Sequence, residues 1–444
     1  IIFVNLFPVV VAVLLETYLV PEEHSLPPIA KFFMDLLCTI PITFYIGMAI
    51  SSIAAQTNYM IGALLNASFG SMTELILYGS AIRNGGLDEL VQFSVTGGLL
   101  SDMLLLPGLS MIIGGIKHKE QKFNPNAAGV SSLLLFVAVV GAFTPTVFYH
   151  MYGGYTQDCV DCELLVSATY TNVSVGGVEY MNQTVQSIVC HGCHYGQIDL
   201  DADPRYYAAT RYVIYVVAGI LPLAYVIGLV FTFFTHTHIF KEEEHEGEGG
   251  EGEDSPEWSL PFSCIFMLIS TIMFGLLAEN IVHVLQPTLH VLGVPQSFLG
   301  LTLIALVPAA TEIVNAIKFA LSNQINLSVE IGSASAIQIS LIQMPFLIVL
   351  SAAFNGATTH NSFVLIYPLL TVFAVIMAVI TFNYISAAGK TNYFVGAAMV
   401  TIYLLFIVTF YFIPDNPDSG SDDNHHKRSN VFMNVVNLNN KRIF

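Results

Sequence analysis

The sequence predicts an all-α polytopic membrane protein of about eleven transmembrane helices, with two inverted-topology five-helix repeats and one extra N-terminal helix. Only 10% of the 444 residues are charged, 54% are hydrophobic, and the mean hydropathy is +0.67. Apolar stretches of about 20 residues recur along the chain, and one polar motif occurs twice inside them. A soluble chain carries about 25% charged residues, so an ordinary soluble enzyme is excluded. The net charge of −18 leaves no basic surface for nucleic acid.

Eleven stretches are long and apolar enough to cross a bilayer. They cover residues 1–20, 31–54, 59–82, 91–116, 129–148, 206–234, 259–286, 292–321, 326–351, 363–385 and 393–413. They are long runs rich in Leu, Ile, Phe and Ala rather than short alternating strands, so helices are the structure that satisfies their backbones. The first stretch begins without Met or a charged flank, and we interpret it as a cropped first helix.

The connecting loops predict the orientation. The basic loop 117–122 and two single lysines, Lys318 and Lys390, fall on one side under an alternating count, and this side is expected to be cytosolic. The opposite side receives the loop 149–205, with glycosylation sequons at Asn172 and Asn182. Sugars belong to a lumenal or extracellular face, so the two signals agree.

Four cysteines share that lumenal loop, namely Cys159, Cys162, Cys190 and Cys193. The CxxC spacing fits either disulfides or a zinc knuckle, and both would be structural. Four cysteines allow three disulfide connectivities, which the sequence alone leaves open.

The domain organisation follows from these loops. Residues 1–20 form the extra helix, 31–234 the first repeat, 237–258 a cytosolic acidic linker, 259–413 the second repeat and 414–444 a tail. Nine of the 32 acidic residues lie between 242 and 257, interleaved with glycine. The linker is either a solvated disordered segment or a cytosolic cation sensor.

Ionisable groups inside the spans are the candidate functional residues, because a charge in a bilayer is costly without a role. Glu74 in the third span and Glu312 in the eighth each follow a threonine, and Gly70 or Pro308 precedes each within four residues. Glycine and proline loosen a helix and free its carbonyls. Both glutamates are therefore expected to face a shared interior.

Further polar and helix-loosening residues accompany the two glutamates at similar spacing. Ser101 and Asp102 follow Glu74 by 27 and 28 residues, and Gln338 follows Glu312 by 26. The two motifs are an odd number of crossings apart, so they enter the membrane in opposite directions, which is typical of inverted repeats around a midplane site. The supporting residues predicted for this site are Asn66, Gly70, Ser71, Thr73, Ser101, Asp102, Glu279, Pro308, Thr311, Asn315 and Gln338.

These motifs resemble a known family. LLNASFGSMTEL followed by VQFSVTGGLLSDML, and LVPAATEIVNAIKFAL followed by NQINLSVEIGSASAIQISL, resemble the two repeats of the cation/proton exchanger (CAX) family within the calcium/cation antiporter superfamily. Asn315 and Glu330 are similar to the vacuolar monovalent cation/proton branch. Ser71, Ala309, Ile313 and Asp102 depart from the usual motif of the family. The resemblance implies that Glu74 and Glu312 bind the transported cation and take up protons when it leaves.

The expected function is proton-coupled cation antiport by alternating access, with no covalent chemistry and no cofactor beyond the transported ions. Two neighbouring carboxylates in a low dielectric cannot both stay charged without a cation, so competition for one site couples the fluxes. Ca²⁺ moving from cytosol to lumen, or out of the cell, is the first choice. Na⁺, K⁺ or another divalent cation is the alternative, and a glycosylated multi-pass receptor is the different class. The expected partners are membrane lipid and the transported ions; the oligomeric state stays open. The expected membrane is vacuolar, lysosomal or another acidic endomembrane, with the plasma membrane as an alternative.

Overall fold

The computed structural model describes residues 7–19, 26–57, 72–84, 87–168, 185–197, 203–236, 258–355 and 363–413. Several predicted features lie outside these residues: Asn66, Gly70 and Ser71 of the third span, the sequons at Asn172 and Asn182, the acidic residues 242–257 and the tail 414–444.

The first half of the chain contains seven helices within the described residues. They are α1 (Phe7–Leu19), α2 (Pro28–Ala55), α3 (Met72–Asn84), α4 (Asp88–Leu100), α5 (Leu106–His118), α6 (Pro125–Tyr152) and α7 (Arg211–Val230). Short π-helical turns join or flank them at Ser101–Leu105, Tyr206–Thr210 and Phe231–Thr235. Strand β1 (Glu120–Lys122) lies between α5 and α6, and β2 (Tyr155–Ala168) and β3 (Val185–Gln197) lie between α6 and α7.

The second half contains another seven helices in its described part. They are α8 (Leu260–Leu292), α9 (Gln296–Leu299), α10 (Ala310–Leu321), α11 (Ile325–Gln338), α12 (Met344–Asn355), α13 (Leu369–Ala388) and α14 (Tyr393–Tyr411). Two further π-helical turns occupy Gly300–Ile304 and Ile339–Gln343, and strand β4 (Lys390–Asn392) precedes α14. Gly293 and Gly389 end α8 and α13 in the left-handed conformation, which glycine adopts without strain.

Eight helical segments of the described chain are long and apolar enough to cross a membrane. They correspond to eight of the predicted stretches, so the prediction of a multi-pass helical membrane protein is confirmed. The apolar part of α1, Pro8–Thr17, is shorter than a span. Of the stretch 59–82, only the part from Met72 is described, and the stretch 292–321 is interrupted by a turn at residues 307–309. The stretch that carries Glu312 is thus interrupted, whereas the part of the Glu74 stretch before Met72 lies outside the described residues.

The two halves share a helix pattern. In the first half, 13-residue α4 and 13-residue α5 are joined by a five-residue π turn. In the second half, 14-residue α11 and 12-residue α12 are joined in the same way. A π turn inserts one residue into a helix and often marks a functional site. The pattern agrees with a duplicated architecture.

Contacts between connecting segments fall into two groups. On one side, β1 pairs with β4, Glu120 and Lys390 form an ion pair of 3.2 Å, and Lys117 Nζ donates to the carbonyl of Leu321 at 3.0 Å. On the other side, Gln92 Nε2 donates to the carbonyl of Val364 at 3.0 Å. The three lysine-bearing segments of the predicted cytosolic face therefore lie together at one end of the helical bundle.

The loop between α6 and α7 differs from its sequence interpretation. Strands β2 and β3 pair as an antiparallel two-stranded ribbon from Tyr155 opposite Gln197. The sequence predicts 149–205 only as a loop, because hydropathy over windows of helical length detects apolar helices and this segment is polar.

Candidate functional site

Glu74 lies near the start of the described part of α3 and is 7% exposed. Its Oε2 accepts a hydrogen bond of 2.7 Å from Nε2 of Gln343, which ends the π turn between α11 and α12 and is fully buried. The bond joins two residues 269 positions apart, one from each half of the chain. A buried carboxylate without a donor is costly, so Gln343 fixes both the position and the environment of Glu74.

A second link between the halves joins Asp102 and Glu312. The side chain of Ser335, on α11, lies close enough to the carboxyl groups of both residues to interact with each of them. Asp102 occupies the π turn after α4 and is 2% exposed, whereas Glu312 is half-buried in the first turn of α10. We call Asp102 and Glu312 the bridged pair. Glu74 lies close enough to both to interact electrostatically with them.

Close backbone approach positions the bridged pair. A Cβ atom on Gly332 would collide with the carbonyl oxygen of Asp102, so α11 crosses the π turn Ser101–Leu105 at a distance that admits only hydrogen at this position. A Cβ on Gly97 would likewise collide with the carbonyl oxygen of Leu301. Small residues let membrane helices approach this closely, and this approach places Ser335, three residues after Gly332, within reach of Asp102.

The helix that carries Glu312 is broken immediately before it. Residues 307–309 form a turn, and α10 begins at Ala310. Pro308 has no amide hydrogen, so the carbonyl of Ile304 lacks its usual helical donor. The free backbone N–H groups at the N-terminus of a helix favour a nearby negative charge. The break predicted from Pro308 is therefore present, and it places Glu312 in the first turn of a helix.

Several polar atoms around this site are buried without a hydrogen-bond partner among the described residues. They are Glu312 Oε2, Gln343 Oε1, Ser101 Oγ, Ser340 Oγ and Tyr403 Oη. Tyr78 and Tyr403 are buried near enough to Asp102 to interact with it electrostatically. Within the described chain, no three His, Cys, Asp or Glu side chains converge closely enough to hold a metal ion.

The structure distributes the other predicted residues unevenly. Three of the predicted residues are buried: Thr73, Ser101 and Pro308. Thr311 and Gln338 are half-buried. Asn315 and Glu279 are exposed on α10 and α8.

Ser335 and Gln343 were not among the predicted site residues. The spacing from Glu312 pointed to Gln338, five residues before Gln343. In a π turn, the backbone hydrogen bonds join residues five positions apart. The turn Ile339–Gln343 therefore places Gln343 on a different face from the one it would occupy in a regular α-helix. No pattern in the sequence marks that turn.

Comparisons with known proteins agree with the fold and the duplicated motifs. The family model described as "Sodium/calcium exchanger protein" matches residues 28–168 and 262–412, one segment in each half. The "Low affinity vacuolar monovalent cation/H(+) antiporter" of Saccharomyces cerevisiae is 35% identical over 404 residues, which are 86% of this chain and 41% of that protein. The chain therefore spans less than half the length of this relative.

Two further matches cover their counterparts almost completely. The "Ca(2+)/H(+) antiporter ChaA" of Bacillus subtilis is 28% identical over 87% of this chain and 93% of its own length. The solved structure of native YfkE superposes with a TM-score of 0.65 at 26% identity, covering 92% of this chain and all of that one. Because the family model matches most of the chain and the fold agrees with a solved relative, the chain belongs to the sodium/calcium exchanger protein family.

Proposed function

We propose that this chain is a proton-coupled cation antiporter that moves cytosolic Ca²⁺ into a lumen or out of the cell in exchange for H⁺. One observation carries the proposal: carboxyl groups from both halves of the chain, Glu74, Asp102 and Glu312, lie close enough to one another to interact electrostatically. Relatives named as Ca²⁺/H⁺ and monovalent cation/H⁺ antiporters support it. In this reading, the two halves are inverted repeats and the cation site lies at their interface.

The arrangement explains how one site couples two ions. The carboxyl oxygens are hard ligands suited to Ca²⁺ or Na⁺, and the half-buried Glu312 keeps one oxygen without a hydrogen-bond partner in the described structure. In a low dielectric, carboxylates without a counter-charge take up protons. A cation and protons therefore compete for the same oxygens, and each crossing of the membrane carries one or the other.

We infer that the site closes when a cation binds. Gln343 donates to Glu74, and Ser335 interacts with Asp102 and Glu312, but no three His, Cys, Asp or Glu side chains among the described residues converge closely enough to hold a metal ion. The cation would replace these interactions as it draws the carboxyl oxygens together. Alternating access requires the cation to make different contacts in the two states of the transporter, and closure of the site around the cation supplies that difference.

The choice of cation is the finer question. Ca²⁺ is neutralised by two carboxylates, so a third in the same site holds a proton while Ca²⁺ is bound. A monovalent cation is the second candidate, supported by the yeast relative named for monovalent cations. The name of this relative also favours a vacuolar membrane for this chain.

Uptake into proteoliposomes with an acidic interior tests the proposal and the ion choice together. We expect ⁴⁵Ca²⁺ to accumulate under the pH gradient and ²²Na⁺ to compete weakly; the reverse ranking would select the monovalent alternative. Glu74→Gln and Glu312→Gln should abolish uptake. Glu120→Gln is the matched control, because Glu120 lies in an exposed ion pair with Lys390 and far from the site. If neither ion moves under the gradient, or if all three variants behave like wild type, the proposal fails.

A further inference from the structure

The ribbon formed by β2 and β3 stands apart from the transport site. It follows Tyr152 at the end of α6, whereas the lysine-bearing loop lies at the start of that 28-residue helix. A helix of this length covers about 42 Å, so the ribbon lies at the opposite end of the bundle from the lysines. Among the described residues, its sheet contains these two strands, and an isolated two-stranded ribbon is marginally stable in water.

The strand register sets the four cysteines opposite one another. Pairing runs from Tyr155 opposite Gln197 to Leu165 opposite Ser187, and the register shift comes only after Leu165. Within this regular stretch, Cys159 is the direct partner of Cys193 and Cys162 that of Cys190. Each cysteine therefore has another cysteine as its cross-strand neighbour.

Backbone distances separate the three possible connectivities. Directly opposite residues of an antiparallel pair have Cα atoms about 4.5 or 5.5 Å apart, and both values suit a disulfide, which requires about 4.4–6.8 Å. Cys159 and Cys162 are three positions apart on one extended strand, about 10 Å. The diagonal pairs are offset by the same three positions. Both alternatives exceed the roughly 7 Å limit for a disulfide.

A single zinc ion bound by all four cysteines also conflicts with the register. Successive residues of a strand alternate between the two faces, so Cys159 and Cys162 belong to opposite faces. A tetrahedral site needs four sulfur atoms about 2.3 Å from one ion. A zinc site built from one face of the ribbon would combine the Cys159 and Cys193 pair with the neighbouring Asp161 and His191 pair. Such a site would leave Cys162 and Cys190, on the other face, without a role.

We propose that the ribbon is stapled by two disulfides, Cys159 to Cys193 and Cys162 to Cys190, one on each face. Each bond forms as two thiols lose two protons and two electrons to the disulfide of an oxidised thiol oxidoreductase, which leaves as a dithiol. Such oxidants belong to the secretory lumen. The staples supply the stability that two strands lack, and this inference does not depend on what the protein transports.

Peptide mapping of the full chain tests the pairing. Thiols are blocked with N-ethylmaleimide at cell lysis, and the unreduced protein is digested with a protease that cuts before Asp161, which separates Cys159 from Cys162. Electron-transfer fragmentation between Cys190 and Cys193 then assigns each partner. We expect the two stated links, with only Cys38 and Cys264 of the six cysteines alkylated.

Two double variants provide matched controls. Cys159→Ser with Cys193→Ser removes one staple and should leave the number of alkylated thiols unchanged. Cys159→Ser with Cys190→Ser breaks both staples and should expose two further thiols. Links within one strand or along a diagonal of the wild-type protein would overturn the proposal. So would alkylation of all four loop cysteines, or one zinc ion retained per chain, and these wild-type readings hold even if a variant fails to fold.

Discussion

The substitution Gly332→Ala tests how closely α11 must approach the bridged pair. A Cβ at this position would lie closer than 3.0 Å to the carbonyl oxygen of Asp102, with Leu106 Cδ2 at 3.4 Å behind it. The carbonyl belongs to the backbone of a buried π turn, so it cannot rotate away as a side chain would. Either α11 or the turn that holds Asp102 has to move.

The size of the effect follows from that overlap. Forcing an extra methyl group into a packed interior costs about 1–3 kcal/mol, while replacing a helical glycine by alanine returns about 1 kcal/mol of helix propensity. The protein should therefore lose up to about 2 kcal/mol of stability. Cation binding should suffer more, because it requires the carboxylates of both helices to close around the ion. A penalty of about 1–3 kcal/mol on that closure lowers apparent affinity about 5- to 150-fold.

The assay compares Gly332→Ala with Gly219→Ala in proteoliposomes and by thermal unfolding in detergent. Gly219 lies within α7, and an added Cβ there meets no atom within 4 Å, so its substitution should leave uptake unchanged and stability equal or slightly higher. We expect the half-saturating cation concentration to rise only in Gly332→Ala. Equal uptake kinetics in the two variants would refute the packing argument.

Four further outcomes are expected. Ser335→Ala should weaken cation uptake, because the Ser335 side chain interacts with both members of the bridged pair. Ser333→Ala is the matched control and should not weaken uptake, since the Ser333 hydroxyl donates to the backbone carbonyl of Glu330 at 3.1 Å; equal losses would contradict the role of Ser335. Gln343→Leu leaves a buried carboxylate without its donor at a cost of about 1–3 kcal/mol, so uptake should need a higher cation concentration, and unchanged kinetics would argue against that contact. Pro308→Ala restores a helical amide before α10 and should slow transport while raising the unfolding temperature; unaltered transport would show that the break has no role. Lowering the pH on the cation-loading side should raise the half-saturating cation concentration by up to about tenfold per unit for each competing proton, and a value independent of pH would exclude direct competition.

The sequence is sufficient to predict most of the fold, because the hydropathy of a segment indicates directly whether the segment lies in lipid or in water. Eight apolar stretches became helices of spanning length within the described residues, and the break before Glu312 followed from Pro308, whose missing amide is a local property. The sequence does not predict the strands β2 and β3, since their pairing is a contact between residues 17 or more positions apart and neither strand is apolar.

The candidate site could be predicted in part for the same reason. Glu74, Asp102 and Glu312 were identifiable because a carboxyl group inside an apolar stretch is conspicuous. Ser335 and Gln343 were not, since serine and glutamine are common in membrane helices and their roles depend on where α11 crosses the first half. That crossing is set by Gly332 and by a π turn, neither of which has a periodic sequence signal.

The most direct test of shared-site antiport is to record both fluxes in the same vesicles. Proteoliposomes with equal pH on both sides contain a pH-sensitive dye, and Ca²⁺ or Na⁺ is added outside while radiotracer uptake is followed. Antiport through shared carboxylates predicts that the interior becomes more alkaline as the cation enters, and that Glu312→Gln abolishes both signals together while Glu120→Gln retains both. Cation entry without proton exit, or a Glu312→Gln variant that loses one flux and keeps the other, would contradict the claim that one site carries both ions.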